Sequence, residues 1–136
     1  MFELSDQPID VGVLRSRLCH PEAGALVTFE GWVRNHNEGK AVASLEYEAH
    51  TALATKEAKA ILQEVRNTFD VQKLICVHRV GHLAIGAMAV WVGVTGAHRD
   101  HAFQACRYVI DELKERVPIW KKEHYREGDS RWIGES

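Results

Sequence analysis

The chain has 136 residues, 46% hydrophobic and 26% charged, with 17 basic residues against 19 acidic ones and a formal net charge of −2. That balance describes one globular domain over residues 1–136 and argues against a general nucleic-acid binder, which would be basic overall. No run approaches the roughly 18 unbroken apolar residues of a spanning helix, and the opening MFELSDQPID lacks a charged n-region and an apolar stretch, so a cytoplasmic protein with no membrane partner is expected.

In chain order, DVGVLRSRLCH sets Val11, Leu14 and Leu18 on one helical face and ends before Pro21. GALVTFEGWVRN alternates Val27, Phe29 and Val33 with Thr28, Glu30 and Arg34, the pattern of a half-buried strand. HNEGK reads as a turn, and VASLEYEA as a returning strand with Leu45 and Tyr47 on one face. From Thr51 to about Phe69 the spacing becomes helical, with Ala54, Ala58, Ile61, Leu62 and Val65 in one stripe. KLICVHRV and AMAVWVGVT are two further strands joined by GHLAIG. A third helix begins near His98, buries Ala102, Cys106, Val109, Ile110, Leu113 and Val117, and stops at Pro118. IWKKEHYRE is extended, and GDSRWIG is a turn with a short last strand. Neighbouring strands with short turns predict antiparallel hairpins with three packed helices, an α+β domain.

Several places can carry chemistry. In VTGAHRDHA a strand runs through Gly96 into a helix, and free amides at such a junction attract anions. His98 and Arg99 in that first turn make sense around an anion; Arg99 balanced by Asp100 in solvent is equally consistent with the residues. Arg34, where a strand enters a polar turn, can grip a phosphate or carboxylate, or pair with Glu30 or Glu38. Trp32 is a candidate base-stacking platform, though a half-buried strand tryptophan is the expected role. Lys114 borders the apolar stripe of the third helix, where desolvation would suit it to proton transfer. Lys121 shares a face of the following strand with Ile119, and Lys122 points the other way, beside Trp120 and His124. Spacing alone favours solvated lysines over a converging set.

The eight histidines raise the question of zinc, but neither His98 with His101 nor His78 with His82 has a third ligand fixed by spacing. No metal is therefore expected. Cys19, Cys76 and Cys106 are odd in number and far apart, which favours free buried thiols in a reducing compartment over disulfides. Phosphate-binding loops, nucleophile elbows and dinucleotide fingerprints are absent, so no resident cofactor is expected.

Taken together, VTFEGWVRNHNEG, LEYEAH, HRVGHLAIG, VGVTGAHRDHAFQACRYVIDELKERVPIWKKE and GDSRW resemble the large, catalytic subunit of molybdopterin synthase, the MoaE family, over residues 24 to 132. The resemblance implies an α/β hammerhead fold with an antiparallel sheet. It implies transfer of two sulfur atoms to cyclic pyranopterin monophosphate, forming the dithiolene of molybdopterin. The sulfur would come from a small ubiquitin-like subunit (MoaD type) whose C-terminal Gly-Gly carries a thiocarboxylate. The large subunit would be a homodimer at the centre of a heterotetramer. By motif, Lys114 and Lys121 match the active-site lysines, and Arg34, His98 and Arg99 match substrate-binding positions, with Lys122 assigned to the same pocket. Trp32 stands where some relatives carry a basic residue, and four residues follow Trp132 where some continue, so a less cationic pocket and a shortened tail are expected. A metal-dependent hydrolase and a silent scaffold for a ubiquitin-like partner are the alternatives. Neither accounts for Arg34, His98, Arg99, Lys114 and Lys121 occurring together in these motifs.

Overall fold

The computed structural model describes residues 1–125 and, for the backbone alone, residues 130–134. The elements are β1 (Phe2–Ser5), α1 (Val11–Leu18), β2 (Ala25–Trp32), β3 (His36–Asn37), β4 (Lys40–Ala49), α2 (Thr51–Thr68), β5 (Val71–Arg79), β6 (Gly81–Ala84), β7 (Met88–Gly96), α3 (Arg99–Arg116), β8 (Ile119–Tyr125) and β9 (Ser130–Gly134). The turn expected at GDS lies largely outside the described residues, whereas the short last strand is present as β9.

The strands form two sheets. The first has the order β1-β5-β7-β2, with β1 parallel to β5 and the remaining pairs antiparallel. Helices α2 and α3 cover one face, and α1 packs on the other through Leu14 and Leu18 against Ile75, Val77 and Trp91. A strand covered on both faces needs apolar side chains at successive positions. LICV in β5 and AVWVGV in β7 supply them, all buried.

The second sheet has the order β3-β4-β8-β9, with β6 paired to β4. HNEGK closes a tight hairpin in which Asn37 faces Lys40 and both loop residues, Glu38 and Gly39, have positive φ. The predicted hairpin between GALVTFEGWVRN and VASLEYEA does not form. β2 pairs with β7 along its length, and β4 pairs with β8 and β6 in the other sheet. The register break between Gly31 and Trp32 marks where the chain leaves the first sheet.

The helices match their periodicities. Asp10 caps α1 through Val13 N at 3.2 Å, and His50 caps α2 by accepting from Leu53 N. The predicted stripe of α3 is buried from Ala102 to Val117. Arg116 grips Glu64 of α2 through both carboxylate oxygens, at 2.7 and 2.8 Å, and Tyr108 donates to the same group. Those donors hold the Glu64 carboxyl down at about 2. The clamp fixes the last turn of α3, which carries Lys114.

Candidate functional site

Pro118 cannot continue α3, so the chain turns straight into β8, and the Pro118 carbonyl accepts from His50 N at 3.2 Å where α2 begins. This turn sets the end of α3 beside the start of β8. Along β8, Ile119, Lys121, Glu123 and Tyr125 share one face, with Ile119, Glu123 and Tyr125 buried. Lys121 stands opposite Tyr47 of β4, and Glu123 opposite Leu45.

Between the two sheets lies a cavity of about 250 Å³. Lys114 reaches it from α3, Lys121 and Glu123 from β8, Arg34 from the segment after β2, and His78 from β5. Among the described residues, no hydrogen bond or ion pair engages Lys114, Lys121 or Arg34. Glu123 is 2% exposed, and its Oε2 has no hydrogen-bond partner there. Three cations with no hydrogen-bond or ion-pair partner among the described residues, lining a cavity with one buried carboxylate, leave net positive charge facing it, an arrangement suited to an anionic ligand.

His78 was not singled out as a site residue by its sequence context. Its ring lies edge-on to Tyr47, with centroids 4.9 Å apart, and its Nδ1 lies 2.7 Å from the Arg79 carbonyl. Burial pushes its pKa from 6.5 to about 4, opposed by that hydrogen bond and assisted by the charge on Lys114. At neutral pH the imidazole is uncharged, so Nδ1 carries the proton it donates and Nε2 is left as an acceptor.

The unfolded chain binds the His78 proton below about 6.5 and the folded chain only below about 4. Stability from this group is therefore complete above pH 6.5 and declines as pH falls through that window, by on the order of 3 kcal/mol. Urea unfolding at pH 7 and pH 4 should show a steeper loss in the wild type than in His78→Gln. Parallel losses would contradict the assignment.

Glu123 was also missed, although its signal was available: it follows Lys121 by two residues in a strand, which places both on one face. Glu123→Gln keeps the shape and replaces the acid that lines the cavity together with the lysines. Turnover is expected to fall about tenfold, ~1.4 kcal/mol in the barrier, through the altered charge balance of the cavity, with the melting temperature nearly unchanged. Unchanged turnover would refute a role in the cavity.

The other sequence-predicted residues lie elsewhere. Lys122 alternates onto the outer face of β8, opposite Glu46, and is not among the residues lining the cavity. His98 and Arg99 are exposed at the start of α3; His98 occupies the cap position and makes no capping hydrogen bond through its side chain. Lys114 follows Arg99 by fifteen residues of one continuous helix, roughly 22 Å at about 1.5 Å per residue. Within one chain these two groups are at opposite ends of α3. Trp32, expected to be half-buried, is 66% exposed among the residues lining the cavity, because it ends β2 on the same outward face as Thr28 and Glu30.

The thiols offer no nucleophile here. Burial raises Cys76 to about 12 and Cys106 to about 11, and Cys19, expected to be buried, is exposed. Among the described residues no helix is long and apolar enough to cross a membrane.

The family model described as MoaE protein matches residues 4–116. The chain is 38% identical over 130 residues to the molybdopterin synthase catalytic subunit of Thermoplasma volcanium, covering 96% of this chain and 95% of that one. It is 43% identical to the subunit of the same name from Synechococcus elongatus, over 97% of this chain and 81% of the other. The crystal structure of molybdopterin synthase from Staphylococcus aureus superposes with a TM-score of 0.92 at 38% identity, covering 98% of this chain and 96% of that one. With a family model matching residues 4–116, relatives about 40% identical along nearly the whole chain and a solved structure that superposes over 98% of it, the chain belongs to the MoaE protein family.

Proposed function

We propose that the chain is the catalytic subunit of a molybdopterin synthase, transferring sulfur from the C-terminal thiocarboxylate of a small ubiquitin-like protein to cyclic pyranopterin monophosphate. The observation that carries this reading is the convergence of Lys114, Lys121 and Arg34, none hydrogen-bonded or ion-paired to another described residue, on one cavity. Both reactants are anions, and the cavity presents cations to receive them.

In this mechanism the thiocarboxylate sulfur is the nucleophile, so the chain needs none of its own. That fits thiols held protonated by burial at Cys76 and Cys106. Lys114 transfers a proton or stabilises the charge that develops as the cyclic phosphate opens, and Lys121 orients the thiocarboxylate. Arg34, at the exposed rim, holds the phosphate through its planar fork.

A homodimer at the centre of a heterotetramer belongs to the same proposal. Because α3 separates His98 and Arg99 from Lys114 within one chain, they contribute to a shared substrate site only from a second copy. Sedimentation of the pure protein at a monomer's mass would remove that part.

The test is to combine the purified chain with the thiocarboxylated small protein and cyclic pyranopterin monophosphate, and to measure dithiolene product. Product formation is expected. A folded chain that binds the small protein and yields none would instead be a scaffold.

A further inference from the structure

The outer face of the second sheet carries a group of side chains that the synthase reaction does not use. β4 pairs with β6 and with β8 through the same residues, Ser44–Tyr47, so β6 and β8 flank it on opposite edges. Leu45 and Tyr47 point into the core, which turns Glu46 outward. His82 of β6 lies directly opposite Glu46, and His124 of β8 lies diagonally across, opposite Ser44.

Strands two apart stand roughly 9.6 Å from each other at about 4.8 Å per strand. The rings of His82 and His124 nevertheless have centroids only 5.9 Å apart. Both therefore lean inward over Glu46. His124 Nε2 lies 3.2 Å from Glu46 Oε1, and one ligand atom from each of the three residues falls within 4.8 Å of the other two.

We propose that Glu46, His82 and His124 form a binding site for a borderline divalent transition-metal ion, represented by Zn²⁺, that clips the three strands β6, β4 and β8 together. Zinc bonds of about 2.0–2.1 Å in a tetrahedron place neighbouring ligand atoms about 3.3 Å apart. The His124–Glu46 separation already has that value, and His82, which is exposed, closes the remaining gap by side-chain rotation. Two imidazoles with one carboxylate suit zinc, nickel or copper and exclude calcium and magnesium, which take oxygen donors. Lys122 stands opposite Glu46 on β8, and its positive charge lowers the affinity of any cation here, so the two imidazole nitrogens must supply most of the binding. Solvent supplies the fourth ligand. No sequence spacing announces the set, since its members come from three separate strands.

The ion sits on the opposite face of the sheet from Lys121 and Glu123, so its role is mechanical and separable from sulfur transfer. β6 is four residues long and is joined to this sheet through β4. A bound ion adds a second tie, from His82 across β4 to His124.

The test is calorimetric titration of the full chain with Zn²⁺, with Co²⁺ as a spectroscopic stand-in for coordination number. The wild type is expected to bind one ion per chain and to melt at higher temperature when loaded. His82→Ala, Glu46→Gln and His124→Ala should each weaken binding by at least about tenfold and abolish the thermal shift, while His20→Ala leaves both intact. His82 is exposed, so its variant keeps the test valid if His124→Ala fails to fold. Absence of stoichiometric binding by the wild type, or binding by His82→Ala as tight as the wild type's, would overturn the site.

Discussion

Lys114→Ala should abolish dithiolene formation, by about 100-fold or more, while the variant folds and still binds the small protein. Lys114 is half-buried at the rim of the α3 stripe, and the buried contacts of that helix are made by its neighbours Ile110, Leu113 and Val117. Removing its ammonium therefore leaves the packing of α3 intact. In the cavity it removes one of three cations and the charge closest in effect to His78, whose pKa Lys114 helps to depress. Single-turnover measurement with saturating thiocarboxylated partner separates this from a binding defect: the expected loss lies in the chemical step, with the affinity for the partner little changed. Turnover within a fewfold of wild type would eliminate Lys114 as the proton-transferring or charge-stabilising group. Lys114→Arg keeps the charge but replaces a compact ammonium with a broad, permanently charged fork, so it should recover part of a purely electrostatic role and none of a proton-transfer role.

Trp91→Ala should cost about 3–5 kcal/mol of stability, a fall in melting temperature on the order of 10–15 °C. Trp91 is fully buried, and with Leu14, Leu18, Ile75 and Val77 it forms the small core under α1. The site is tightly filled. A Cβ built on Gly93 would stand 2.4 Å from the indole ring and 2.5 Å from Leu18 Cδ1, so the glycine makes room for the ring. Deleting the indole leaves a void that α1 closes only in part. Thermal unfolding followed by far-ultraviolet circular dichroism measures the effect, and a loss below about 1 kcal/mol would show that α1 adds little to the fold. The cavity lies on the other side of the first sheet, among the residues of the larger core, so activity per folded molecule at low temperature should be preserved.

These expectations draw unequally on sequence and structure. The helical stripes of α2 and α3 were legible because a 3.6-residue period needs only local residues to appear. The burial alternation of β2 and the end of α3 at Pro118 were equally visible. Strand pairing was not. The short HNEGK turn suggested that β2 returns on β4, yet only the tip of that segment forms a hairpin and β2 crosses to β7. The strand β1 and the pairing of β6 with β4 also escaped notice, because four residues carry too little periodicity to read.

For the site, the residue types and their motif contexts lay in the sequence: Arg34, His98, Arg99, Lys114, Lys121 and the family they point to. What only the tertiary structure decided is which of them meet. Lys114, Lys121 and Arg34 join at one cavity with His78 and Glu123, Lys122 turns to the outer face, and His98 with Arg99 stands a helix length away. The physical reason is that periodicity assigns each side chain to a face of its own element, whereas convergence depends on how separate elements pack. That packing is set by contacts between residues far apart in the chain, such as Glu64 with Arg116 and Tyr47 with His78.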